Sequence, residues 1–72
     1  MKTFAVVIEK TSNGFGAYVP DLPGCIAAAD TAEETKQLIA EAIEFHLEGL
    51  RLHGDPIPDP STLVTTVAVR AA

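Results

Sequence analysis

The 72-residue chain has no Trp, one Cys, one Met and one Tyr, and only five basic residues against ten acidic ones. One cysteine excludes an internal disulfide, so covalent stapling cannot support so small a domain. The five basic residues, Lys2, Lys10, Lys36, Arg51 and Arg70, are scattered along the chain. Nucleic-acid binders gather Lys and Arg into a patch, so direct nucleic-acid binding is not expected. The apolar run Phe4–Ile8 is cut short by Glu9-Lys10, too soon for a membrane span or a secretory leader. A cytoplasmic protein with no membrane association is the expectation, and a lone Cys25 suits a reducing compartment.

What is present is globular in composition. Apolar residues make up 47% and charged residues 21%, with a formal charge of −5. The length fits one domain, spanning 1–72. A domain of this size hides only about 60% of the surface its unfolded chain exposes. Company is therefore expected, and an acidic surface favours a basic partner.

The chain opens with a strand-like segment, Thr3 to Lys10, rich in β-branched residues. Asn13-Gly14 reads as a two-residue hairpin loop of the type that needs positive φ at both positions, with Phe15 to Pro20 returning. In that register Ile8 faces Val19 and Lys10 faces Ala17. Phe4, Val6 and Ile8 then share the core face with Phe15, Ala17 and Val19. Pro20 to Gly24 form a rigid bend, with Pro23-Gly24 suited to a type II turn. Cys25 to Ala29 reads as a short third strand whose small residues let a helix approach closely.

A helix is expected from Asp30 or Thr31, because Thr31-Ala32-Glu33-Glu34 fits a capping box. Gly54 is its natural stop. At about 100° per residue, Gln37, Glu41, Glu44, Glu48 and Arg51 form one polar arc. The apolar residues cover roughly 200°, about twice what packing on one sheet face requires. The surplus implies a subunit contact at Leu47 and Leu50 or at a last strand, Leu63 to Val69, including Leu63, Val67 and Val69. Alternate prolines at 56, 58 and 60 hold the connection to that strand extended. The expected fold class is α+β, in the order β-β-β-α-β, a small antiparallel sheet with one helix on one face.

No catalytic, cofactor or metal constellation emerges. Cys25 reads as a small buried strand residue, since the spacing puts neither His46 nor His53 beside it. The two histidines, seven apart, do not match the i, i+3 or i, i+4 ligand spacing of a helical metal site. The helix acids read as a solvated face, and the glycines form no phosphate loop. The chain reads as a binding protein, not an enzyme.

The residues Phe15-Gly16-Ala17-Tyr18-Val19-Pro20-Asp21-Leu22-Pro23-Gly24-Cys25, then Ala29-Asp30-Thr31-Ala32-Glu33-Glu34, Glu41-Ala42-Ile43 and Gly54-Asp55-Pro56-Ile57-Pro58, resemble the HicB family of antitoxins. Ala29 stands where the family usually has Gly, and Thr35 where it has Ala. The resemblance implies a degenerate ribonuclease-H-like fold without catalytic acids. It further implies a protein that binds a small basic, mRNA-cleaving toxin of the HicA type and covers its active site. Many members carry a separate DNA-binding domain, for which the 72 residues leave no room. The alternative is an oligomeric HicB-like binding module, dimer or tetramer, without a cognate toxin. Toxin contact is expected around the rigid bend, at Tyr18, Asp21 and Leu22, and on the acidic helix face at Glu41 and Glu44.

Overall fold

In the computed structural model, which describes residues 1–71, three strands precede one helix. They are β1 (Val7–Thr11), β2 (Gly14–Tyr18), β3 (Ile26–Ala29) and α1 (Ala32–Leu52). The sheet is antiparallel throughout, in the order β1-β2-β3. The small α+β class is as expected, but the last strand is not formed: 55–71 contains no regular element.

The hairpin register differs from expectation by two residues. Ile8 pairs with Ala17 and Lys10 with Phe15, so Ser12-Asn13 form the loop. A shift of two leaves every side chain on its assigned face, because strand faces alternate with period two. Ala17 and Val19 are accordingly buried, with Phe4 and Val6 packed against them. Neither Asn13 nor Gly14 has positive φ. Gly14 is needed for a different reason: a Cβ there would lie 2.5 Å from the Ala29 carbonyl oxygen, where the end of β3 passes.

The bend after β2 is a double turn. Leu22 N–H donates to Val19 O, and Cys25 N–H donates to Leu22 O across Pro23-Gly24. Gly24 takes φ of 84°, as the second central position of a type II turn demands. This fold-back drives Leu22 into the interior, where it is fully buried with Val19, Cys25 and Ile39.

The helix caps are local chemistry. Glu34 N–H donates to the Thr31 hydroxyl at 3.1 Å, and that hydroxyl donates to the Glu34 carboxylate at 2.9 Å. The carboxylate thus closes the box on the threonine side chain instead of its backbone N–H. At the other end Gly54 takes φ of 72°. Gly54 N–H donates to Arg51 O and Asp55 N–H to Leu50 O, the paired bonds of a Schellman stop. Thr35 is the one fully buried polar residue among the described residues, and its hydroxyl donates to Thr31 O at 2.7 Å, so burial leaves it satisfied. Threonine is accommodated here without an unpaired group.

Helix α1 lies on the face of the sheet that carries Ala17 and Ala27. Small side chains at those paired positions let Ile39 descend to 1% exposure. Burying one such side chain contributes about 1.5–3 kcal/mol. Ala42, Ile43 and Leu47 complete the contact.

Candidate partner-binding surface

The solvent face of α1 carries two parallel rows. Leu38, Phe45 and Leu52 stand at sevens, two helical turns apart, and are 42%, 83% and 76% exposed. Glu34, Glu41 and Glu48 stand at sevens beside them, all exposed. Glu34 is held by the Thr31 hydroxyl, and Glu48 pairs with Arg51 at 2.6 Å. Glu41 and Glu44 enter no ion pair among the described residues, so their charge is free to meet a cation from outside. An apolar row bordered by uncompensated acids suits a partner with apolar and basic groups together.

The apolar surplus is therefore real but displaced from its expected place. Leu47 and Leu50 are half-buried, with Leu47 packed on the core, and the exposed residues are Leu38, Phe45 and Leu52. The reason is phase. The line turned toward the sheet runs from the buried Thr35 and Ile39 to the half-buried Ala42, Ile43 and Leu47, whereas Leu38, Phe45 and Leu52 fall on the opposite margin of the arc.

Of the residues expected to touch a partner, three occupy different settings. Tyr18 is 43% exposed on the sheet face away from α1, in a lateral row with its pair partners Val7 and Ile26. It thus shares no patch with Glu41 and Glu44. Leu22 is expected at the partner surface but lies in the core, with no exposed surface of its own. Asp21 is a tether: its carboxylate accepts from Ser61 N–H, the Ser61 hydroxyl, Thr62 N–H and the Thr62 hydroxyl, at 2.8–3.1 Å. Its role is to anchor a segment 40 residues away.

Those four donors, the Thr62 and Ser61 backbone N–H groups foremost, hold the Asp21 carboxyl down from 3.8 to about 2. A carboxyl whose folded pKa is lowered stabilises the tethered state above its unfolded pKa and loses that effect as the folded pKa is approached. The anchor should therefore hold above about pH 4 and release as the pH falls toward 2. Amide exchange at Ser61 and Thr62 followed down the acid limb checks this. Exchange that is already fast at neutral pH would remove the tether.

Cys25, His46, His53 and Asp55 line one open groove of about 500 Å³ between the start of β3 and the second half of α1. The helix twist and the bend at Pro23-Gly24 bring them there, which linear spacing conceals. Burial raises the Cys25 thiol pKa, favouring the unreactive protonated form. His53 Nδ1 is engaged by Gly49 O at 2.7 Å. No cluster of three or more His, Cys, Asp or Glu able to hold a metal occurs among the described residues. No helix there is long and apolar enough to cross a membrane.

Fold and surface together define a small α+β domain whose distinctive chemistry is an exposed, acid-bordered apolar helix face. Residues 4–71 match the family described as HicB_like antitoxin of bacterial toxin-antitoxin system, and the chain belongs to that family. A phage HP1 protein of Haemophilus, an uncharacterized 14.9 kDa protein of the rep-hol intergenic region, is 40% identical over 76% of this chain. The chain spans 41% of that protein's length. A UPF0150 protein of Synechocystis is 36% identical over 92% of this chain and 85% of its own. Among solved structures, a chain of a HicA3 and HicB3 toxin-antitoxin complex superposes with a TM-score of 0.70 at 36% identity, covering 82% of this chain and 69% of that one.

Proposed function

We propose that this protein is the antitoxin of a type II toxin-antitoxin pair and acts by binding a small basic, mRNA-cleaving toxin of the HicA type and covering its active site. Family membership, the matching antitoxin complex and the net charge of −5 support this reading. The single observation that carries it to residues is the free acids Glu41 and Glu44 flanking the exposed Leu38–Phe45–Leu52 row. A toxin that grips RNA is basic at its catalytic surface, so an acidic helix presented there competes with the phosphate backbone. The negative field speeds encounter, and the apolar row excludes water once the surfaces meet. Inhibition of this kind needs no catalysis by the antitoxin, no cofactor and no contact with nucleic acid. A cytoplasmic homo-oligomer, dimer or tetramer, with a degenerate ribonuclease-H-like fold goes with this reading.

Reversing both charges, Glu41→Lys with Glu44→Lys, turns two attractions into repulsions. At about 0.2–1 kcal/mol per exposed pair, made and then inverted, affinity for the toxin should fall roughly tenfold or more. The loss should appear mostly in the association rate and shrink with added salt. Both side chains are exposed, so the melting temperature should not move. Calorimetric titration with a HicA-type toxin reads the effect, and an unchanged affinity would take the helix face out of the interface.

A further inference from the structure

The segment after the Asp21 anchor, Leu63 to Val69, has the composition of a strand and nothing to pair with. Val64, Thr65, Thr66, Val67 and Val69 are β-branched. Leu63, Val64, Val67 and Val69 are 93%, 69%, 76% and 78% exposed. The segment is not slack at its root, because Ser61 and Thr62 are fixed by four hydrogen bonds to Asp21. The Lys2–Asp59 pair at 2.6 Å steers the connection that leads there. The chain is consequently long, 51 × 26 × 18 Å, with a radius of gyration of 14.2 Å. A compact domain of this length would have about 11 Å.

We propose that Leu63–Val69 is a donated strand that pairs with the free edge of β3 in a second copy of this chain. Three observations select that occupant and that edge. The sheet ends at β1 and β3, each with one unpaired side. Along β1 stand Glu9 and Lys10, the charged residues that usually guard an exposed edge, whereas Ile26-Ala27-Ala28-Ala29 carries no charge and no proline. The projecting segment contains no acid and is followed by Arg70, while all ten acids precede it, eight of them in the sheet, its turns and the helix that it would approach. Reciprocal donation covers both tails and both β3 edges about a two-fold axis and leaves no further edge of this kind open, so assembly closes at two chains. The added strand would extend the exposed row Val7–Tyr18–Ile26, covering an Ile26 that is now 69% exposed. The inference does not depend on toxin binding.

Two adjacent prolines test it, Thr66→Pro with Val67→Pro. Neighbouring N–H groups point to opposite sides of a strand, so one of the two must face the acceptor edge, and proline removes it. The unaltered full chain should sediment as a dimer at micromolar concentration, with amides in 63–69 protected from exchange. The double variant should sediment as a monomer with the α1 circular-dichroism signal intact, since the segment touches no core residue. The helix-face variant Glu44→Lys, at an exposed position outside the groove beside β3, should remain dimeric. A monomeric wild-type chain would overturn the proposal, whether its tail is unprotected or folded onto its own sheet. A double-proline variant that stays dimeric would do the same.

Discussion

Replacing Leu22 by Ala should lower the stability of this protein by about 2–5 kcal/mol. Leu22 is 0% exposed and packs with Val19, Cys25 and Ile39 at the centre of a five-residue core. A chain of this length has roughly 4–11 kcal/mol of total stability, so one truncation removes a large share of it. At about 4–8 °C per kcal/mol, the melting temperature should drop by roughly 8–40 °C. The neighbouring Pro20, Asp21 and Pro23 cannot close over the void, because the two turns that present Leu22 are already hydrogen-bonded. Urea and thermal midpoints read the effect directly. Midpoints equal to wild type would show that Leu22 is not a core residue, and an affinity loss without a stability loss would return it to the partner surface.

Gly14→Ala should destabilise by about 1–3 kcal/mol, although its neighbour in the same strand should accept the same change. The new Cβ would meet the Ala29 carbonyl oxygen at 2.5 Å and its carbon at 3.3 Å. Both are backbone atoms of β3 and cannot swing aside without parting the strands. The backbone at Gly14 is not left-handed, so the cost is contact alone. At Gly16 the nearest atoms to a new Cβ are Thr11 Cγ2 at 3.6 Å and Ala27 O at 4.0 Å, ordinary contacts. Gly16→Ala should therefore be neutral or slightly stabilising, by up to about 1 kcal/mol, through the lost freedom of the unfolded chain. Opposite signs at two glycines two residues apart separate crowding from conformational strain. Equal denaturation midpoints for the two variants would refute the close approach of β3.

Much of the local structure is legible in the residues because its causes lie within a few positions. The Thr31–Glu34 cap, the Pro23-Gly24 turn and the Gly54 stop are each set by side chains or φ preferences inside one turn of chain. The face assignments of the hairpin survived a two-residue change of register for the same reason: alternation is local and the shift was even. The acidic row of the helix and its surplus of apolar neighbours are likewise fixed by the twist of the helix alone.

What sequence could not settle is where those elements meet. Asp21 reads as an exposed turn acid until Ser61 and Thr62 arrive from 40 residues away to occupy it. Leu22 reads as a surface residue between two prolines until the double turn folds it inward. Leu63 to Val69 has every strand propensity, yet it forms no strand, because a strand is a pairing and not a composition. The choice of which apolar residues on α1 stay in water depended on the angle at which the helix met the sheet, and small side chains at Ala17 and Ala27 set that approach. Composition, caps and periodicity determined an acidic α+β domain with more apolar surface than it could cover. Only the tertiary contacts, whose partners are distant in sequence, decided that Leu38, Phe45, Leu52 and the Leu63–Val69 segment are the surface left over.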